Sequence, residues 1–554
     1  MRGYGRARAM GLLGLLGTPI TVEAYAAPGL PRFALVGLPD GALSESRDRV
    51  RAAVLASGLG WPQAALTVSL SPAWIRKQGS GFDLAIALAV LRAAGEVPAR
   101  ATSRHPAQLG TTPTSVTVPH DAVFIAELGL DGRVRPVRGV LPCALAAVRA
   151  GLPRIFTAEA NADEAAQVPG ADVTGLRSLR QLAALANGLP VPDEAPGDAD
   201  GVPPDGPPAP DSGTEPDLAE VLGQRHARRA LEISAAGGHH LFLCGAPGAG
   251  KTMLAKRLPG ILPPLDPEAA LEVSSVHSLA GTLPDHPPLI TRPPFCSVHH
   301  SATVASMVGG GSGVMRPGAV SRAHRGVLFL DEAAEFQRPV LDALREPIES
   351  GEVTIARAAG IAHFPARFLL VAAANPCPCG RAGDPGALCN CAPRQRAAYL
   401  ARISGPLLDR IDLRVDVAPV GPGELLDAAS GGLAAESTAQ VAERVVQARL
   451  RAARRLGGTP WRSNAEVPGA VLRSRWPLRI GSLAGAEGAL RTGVLSARGL
   501  DRVIRVAWTV ADLAGLDRPG RAEIDTALAF RLGFQAVEQR SLSGHRSTPL
   551  GLVV

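Results

Sequence analysis

The sequence predicts a multidomain α/β protein in which a P-loop parallel-sheet core lies between an N-terminal α/β domain and a helical C-terminal lid. Three observations point there. The chain has 554 residues, and a single core seldom serves more than about 100–200 residues, so several folded units are expected. In the middle, buried strand-like runs at 241–244, 327–330 and 368–373 alternate with helical patterns, as in a parallel sheet covered on both faces. Beyond residue 422 strand patterns stop and helical periods take over.

Taken in order, residues 1–186 alternate strand-like runs (18–24, 33–36, 65–70) with helix-like runs (44–56, 83–94), which reads as an α/β or α+β domain. The opening Arg2, Arg6 and Arg8 followed by a Gly-Leu repeat imitates a signal peptide. The apolar run is short, glycines break it, and 18–24 then alternates like a strand. No later run is long and apolar enough for a membrane, so a cytoplasmic protein without a membrane partner is expected. Residues 101–120, rich in Thr, Ser, Pro and His, read as a surface loop. Residues 187–216 hold seven acids, many Pro and Gly, and no Lys or Arg. That composition cannot bury apolar surface and marks a linker. The core is expected at 217–422, the lid at 423–540 and a polar tail at 541–554.

The formal net charge is +7. Setting aside the seven linker acids raises it to +14 for the rest, a balance that permits an anionic partner but equally reflects an arginine-rich composition. Only three lysines occur, Lys77, Lys251 and Lys256, so a lysine at a motif position carries weight.

Gly245-Ala246-Pro247-Gly248-Ala249-Gly250-Lys251-Thr252 follows an apolar strand and opens a helical run, the context that a phosphate-binding loop requires. The glycines let backbone N–H groups wrap phosphates at a helix N-terminus, Lys251 faces the β and γ groups, and the Thr252 hydroxyl ligates Mg²⁺. ATP and Mg²⁺ are the expected cofactors. Asp331 and Glu332 end a second apolar strand, where Asp331 can reach the metal shell and Glu332 can activate water. Asn375 ends a third and can hold that water. Arg410, in Ser404-Gly-Pro-Leu-Leu-Asp-Arg-Ile-Asp412, suits a finger reaching a neighbouring subunit; the plainer reading is a surface pair with Asp409 or Asp412. Arg498 in Ser496-Ala-Arg, with Arg502 as its rival, is the candidate second cationic sensor. Cys377, Cys379, Cys389 and Cys391 form two close pairs able to close a tetrahedral Zn²⁺ site, although one intervening residue is tighter than usual; reduced loop thiols are the alternative.

With these residues in hand, the chain resembles the ComM/YifB family of Mg-chelatase-like AAA+ proteins over nearly its whole length. The segments that carry the resemblance are 29–40 (GLPRFALVGLPD), 45–51 (ESRDRVR), 76–84 (RKQGSGFDL), Asn375-Pro-Cys-Pro-Cys-Gly380, 404–412 and Ser496-Ala-Arg498. The resemblance implies a Lon-protease-like (ribosomal S5 domain 2-like) N-terminal domain, an AAA+ core and a Mg-chelatase-type lid. It also implies a homohexameric ATPase that moves branched or single-stranded DNA, a branch-migration helicase of the kind used in natural transformation. It assigns nucleotide binding to 245–252, metal coordination to Thr252 and Asp331, water activation to Glu332, sensing to Asn375 and Arg498, and the finger to Arg410.

Two departures qualify it: the Thr- and Pro-rich insertion at 101–120 with the long acidic linker, and an incomplete protease dyad. Lon-type proteases pair a Ser with a Lys after a Gly-Gly turn, whereas here Ser80 stands in Gly-Ser-Gly and the later segment reads Arg138-Gly-Val-Leu, so no base activates a nucleophile. Residues 352–365 read as a hairpin turning at Ala358-Ala-Gly360, which relatives project into the ring pore; Arg357 on it is the candidate DNA contact, against a solvated edge arginine. His299-His300 is not expected to bind metal, since adjacent residues do not share a face. The segment 444–479, with nine arginines, one acid, Trp461 and Trp476, reads either as a nucleic-acid surface or as a solvated helical face. A chelatase subunit and a protease adaptor are the competing functional readings.

Overall fold

The computed structural model describes residues 3–38, 40–98, 118–195, 216–283, 289–311, 315–357, 360–382, 388–421, 423 and 435–533. Most of the loop expected at 101–120, most of the linker at 187–216, the hairpin turn at 358–359 and the tail at 541–554 lie outside them.

Period-two alternation sets the N-terminal sheet. Strands β1 (Gly3–Leu13) and β2 (Leu16–Ala27) make one long antiparallel hairpin, with Gly3 opposite Ala26 and Leu13 opposite Leu16. Ala7 and Ala9 on β1 and Ile20, Val22 and Ala24 on β2 are buried, so the alternation places one face in the core. The apolar start of the chain is therefore a strand. Then come β3 (Arg32–Val36), β4 (Ala65–Ser71), β5 (Val123–Ile125), the short pair β6 (Glu127–Leu128) and β7 (Val134–Arg135), β8 (Arg154–Ala158) and β9 (Asp172–Leu176). The mixed seven-stranded sheet runs β3-β4-β2-β1-β5-β8-β9. Helix Asp83–Ala94 is buried from Asp83 to Ala93, as a helix that is apolar nearly all round must be. The helix expected at 44–56 is two, Gly41–Ser44 and Ser46–Ala56, and Asp40 caps the first by accepting from Leu43 N–H at 2.8 Å.

In the middle region the strands are β10 (Leu241–Gly245), β11 (Phe295–Val298), β12 (Gly309–Gly310), β13 (Arg316–Pro317), β14 (Val327–Leu330), β15 (Glu352–Arg357), β16 (Gly360–Pro365), β17 (Leu369–Ala374) and β18 (Leu413–Val417). Five of them form a parallel sheet in the order β11-β14-β17-β10-β18. The three apolar runs are its inner strands. The edges are less apolar, because β11 holds Cys296 and Ser297 and β18 alternates with Arg414 and Asp416. Strands β15 and β16 pair as a separate hairpin, with Arg357 opposite Gly360.

Past residue 435 the described elements are helical, chiefly Thr438–Leu456, Gly469–Arg475, Ala484–Arg491, Ala497–Ala514 and Arg521–Leu532. Val441, Val445, Val503, Ala507 and Phe530 join the same apolar cluster as Leu241, Leu254 and Val415, so these helices share the core's own packing. Among the described residues the N-terminal unit touches the core at the β1–β2 tip and around Ser278. Leu12, Leu13 and Leu15 at the β1–β2 tip pack against a cluster that includes Ala362 and Phe364 of β16. Further round, Ser278 donates to the half-buried Glu164, and Gly139 N–H donates to the Ser278 carbonyl at 3.3 Å. Among the described residues no helix is long and apolar enough to cross a membrane.

Candidate nucleotide site

Strand β10 delivers the glycine-rich loop, and helix Lys251–Ile261 leaves it. Gly248 and Gly250 have φ of 80° and 90°, the left-handed region that side chains other than glycine rarely adopt. Backbone N–H groups at such a loop and helix start form an anion cradle. Lys251 Nζ donates to the carbonyls of Gly245 (2.7 Å) and Ala246 (2.9 Å) and to Asn375 Oδ1 (3.1 Å). Burial lowers the lysine's pKa from its ordinary value, with Cys244, Asp331 and Glu332 opposing.

Parallel pairing of β10, β17 and β14 brings the other residues in. Leu243 is level with Ala373, and Phe329 with Val371, so Asn375 and Asp331, just past their strands, open on the same edge as the loop. The Thr252 hydroxyl donates to Asp331 Oδ2 at 3.0 Å, and Glu332 N–H to Asp331 Oδ1 at 3.0 Å. Lys251–Asn375 and Thr252–Asp331 are thus two hydrogen-bonded pairs, joined through the adjacent residues Lys251 and Thr252. Glu332 stands exposed beside them with φ of 51°, a strained setting of the kind found at functional turns. The donor set suits a polyphosphate with a hard cation: a cationic amine, a hydroxyl and a carboxylate side by side, and an exposed carboxylate able to accept a proton from water.

One neighbour is absent from the sequence reading. His300 Nδ1 lies 3.1 Å from Glu332 Oε2. The register explains it: β11 pairs Val298 with Leu330 of β14, so residues two beyond each meet. No spacing in the sequence signals this contact. The adjacent His299 instead bonds to Ser301 at 2.9 Å.

Arg410 ends helix Gly405–Arg410, where its guanidinium donates to the Pro406 carbonyl at 2.8 Å and to Glu349. Neither pair expected from spacing forms: Asp412 is taken by His239 and Arg502 (3.1 and 2.6 Å), and Asp409 by Arg531 at 3.6 Å. Arg410 borders an open cavity of about 540 Å³ lined also by Asp342, Arg345, Glu346 and Ser350. Arg498 is exposed in the first turn of helix Ala497–Ala514. Its rival Arg502 is instead committed to the buried Asp412, whose carboxyl is held well below the usual range: burial opposes ionisation, and the His239 bond and Arg502 overcome it.

Arg357 is exposed on β15, with its guanidinium 3.7 Å from the position a Cβ on Gly310 would take. The arginines of 444–479 divide: Arg454, Arg462, Arg475 and Arg479 are exposed, as on a solvated face, while others bond to the fold. Arg444 pairs with Glu232 and Glu436, Arg449 donates to the Ala235 carbonyl, Arg455 pairs with Asp512 and lies over Trp508, and Arg473 pairs with Asp501. Trp461 and Trp476 pack against Leu456, Leu472, Ile504 and Trp508. Arg444, Arg449, Arg451, Arg455 and Arg473 thus bind other parts of the fold.

Cys377, Cys379, Cys389 and Cys391 converge just past Asn375, with their Sγ atoms all within 4.8 Å of one another. N–H donation from Arg381, followed by contact with Cys377, lowers the Cys379 thiol to about 6. Of the other cysteines, burial raises Cys143, Cys244 and Cys296, as for inert core thiols.

Residues 217–425 match the family described as magnesium chelatase, subunit ChlI; residues 22–161 match subunit ChlI of Mg-chelatase, and 435–531 its C-terminal region. An uncharacterized protein of Mycobacterium tuberculosis is 49% identical over 534 residues, 95% of this chain and 98% of its own length. YifB of Escherichia coli is 38% identical over 519 residues (94% and 95%), and competence protein ComM of Haemophilus influenzae is 37% identical over 533 (96% and 97%).

Proposed function

The chain belongs to the ComM/YifB family of Mg-chelatase-like AAA+ ATPases, and on that premise we propose that it is a cytoplasmic, ring-forming motor that uses ATP hydrolysis to move branched DNA. The observation that carries the reading is the pair of hydrogen bonds Lys251–Asn375 and Thr252–Asp331 at the glycine-rich loop, with the exposed Glu332 beside them. In this reading the loop from Gly245 to Thr252 holds ATP, Thr252 and Asp331 hold Mg²⁺, Glu332 takes the proton of the attacking water, and Asn375 orients that water. The four thiols take one Zn²⁺. The metal ions supply charge neutralisation and cross-linking when bound; the protein's side chains do the positioning.

The DNA assignment is supported by likeness to a competence protein across 96% of the chain and by the excess of basic residues over acidic ones. Arg357 on the hairpin is its local DNA contact. Arg410 works in trans: on ring closure it exchanges Glu349 for the neighbour's γ-phosphate, and Arg498 serves the subunit's own nucleotide. Mixing Arg410→Ala with Lys251→Ala chains should restore part of the activity each lacks, and no rescue in rings shown to be mixed refutes action in trans.

The main test is a labelled three- or four-strand junction incubated with the protein and ATP, without ATP, and with Lys251→Ala. Strand exchange only in the first sample is expected. Hydrolysing rings that leave the junction intact refute DNA movement. Stimulation of hydrolysis by a porphyrin would then favour a chelatase-subunit role, which the magnesium-chelatase family description supports.

A further inference from the structure

The four thiols have the spacing of a metal cage. Cys377 Sγ is 3.3 Å from Cys379 Sγ and 3.7 Å from Cys389 Sγ, and Cys379 Sγ is 3.6 Å from Cys389 Sγ. Those separations are far longer than a disulfide of about 2.05 Å. Four thiolates at a Zn–S distance of about 2.3 Å stand about 3.8 Å apart in a tetrahedron, close to what is seen. Ala382 N–H donates to Cys377 Sγ at 3.4 Å, the kind of outer bond that orients a thiolate ligand.

This cage is joined to the nucleotide loop at two points. Cys377 is two residues past Asn375, whose amide oxygen accepts from Lys251. Gly380 has φ of 74°, and a Cβ placed on it would stand 2.7 Å from Cδ and Cγ of Pro247 in the glycine-rich loop. The thiol knuckle therefore lies directly against the loop's outer face, with only a glycine able to fit. On its far side Cys391 is held through its carbonyl by Arg396 of helix Pro393–Leu400, at 3.1 Å.

We propose that Zn²⁺ in this cage acts as a latch: by closing Cys377, Cys379, Cys389 and Cys391 into one unit it fixes Gly380 against Pro247 and holds Asn375 beside Lys251, so that nucleotide affinity follows metal occupancy. The inference rests on the ATP reading of the glycine-rich loop and on the zinc reading of the thiols. Loss of the metal frees the knuckle, and binding must then order it again before the loop can close.

The test uses the full chain purified with reductant. Elemental analysis should find about one zinc per chain. After removal of zinc by a selective chelator and exchange into Mg²⁺ buffer, affinity for a fluorescent ATP analogue should fall about ten-fold, equivalent to about 1.4 kcal/mol, and added zinc should restore it. Cys389→Ser with Cys391→Ser should bind weakly with no rescue, and Gly380→Ala should keep its zinc yet bind the analogue more weakly. Unchanged affinity in the zinc-free wild type overturns the latch while leaving the metal reading intact. Absence of zinc from reduced protein overturns both. Wild type that binds no analogue, zinc-loaded or zinc-free, overturns the ATP reading and the latch with it.

Discussion

The polar cluster around Asp83 in the N-terminal unit and the one around Lys251 in the core are made of similar parts, charged and hydroxyl side chains gathered where segments end. In the first, Asp83 accepts from Ser46, from Arg49 (2.8 and 3.2 Å) and from Leu128 N–H (3.3 Å), and it is fully buried. Nearby, Asp40 accepts from Gly79 N–H at 3.0 Å, and the buried Lys77 donates to the Pro72 carbonyl. Every one of these groups is answered by another part of the same unit. In the second cluster Lys251 is answered by carbonyls of its own loop, while Glu332 and Pro247 face solvent. A buried ion pair with all its bonds made holds segments in register; a cluster that ends on open space has capacity left for a ligand. The motifs at 29–40, 45–51 and 76–84 are thus bound to one another by structure-keeping bonds.

The comparison can be broken most severely at Glu332. Glu332→Gln should keep ATP binding and lower hydrolysis by roughly 100-fold or more, the usual cost of losing a general base; single-turnover phosphate release measures it. Next, Asp83→Ala removes the buried carboxylate that accepts from Ser46, Arg49 and Leu128 N–H and should cost about 3 kcal/mol of stability, in the range for broken buried pairs. Denaturant unfolding reads this, and the folded fraction should bind the fluorescent ATP analogue normally; weakened nucleotide binding without loss of stability would erase the distinction between the two clusters. Lys251→Ala should weaken that binding by roughly 30-fold, since a charge-assisted hydrogen bond contributes about 2 kcal/mol, while thermal unfolding changes little. The smallest expected effect is at His300. Replacing it by Ala frees Glu332 from its neighbour and should change turnover by only a few-fold, in the range of a partly exposed pair, with ATP affinity unchanged; a loss as large as that of Glu332→Gln would place His300 in the reaction itself.

These contrasts follow how the site could be read from the chain. Gly245–Thr252, Asp331–Glu332 and Asn375 were legible because each is tied to its own strand: an apolar run followed by glycines or a carboxylate is a local pattern. His300 was not legible, since its place beside Glu332 depends on β11 pairing with β14 and on a register that skips about thirty residues of sequence. Arg410 shows the same limit. Spacing offered Asp409 and Asp412, yet Glu349, far upstream, takes the guanidinium because helices Arg345–Ser350 and Gly405–Arg410 lie side by side. The pairing of Arg444, Arg455 and Arg473 was not legible because their acids, Glu232, Glu436, Asp512 and Asp501, come from other segments.

The sequence by itself determined the element types, the parallel core and the residues able to handle a nucleotide. Hydrophobic period and turn chemistry act over a few residues and are written locally. Tertiary structure alone decided which charges are spent and which are open. It closed Asp83, Asp412 and most of the contacting arginines of 444–479 into internal pairs, left Glu332 exposed, and set four thiols against Pro247. The physical reason is that a charge's role depends on what desolvates and pairs it, and those partners are supplied by strand register and helix packing across distances that no local pattern spans.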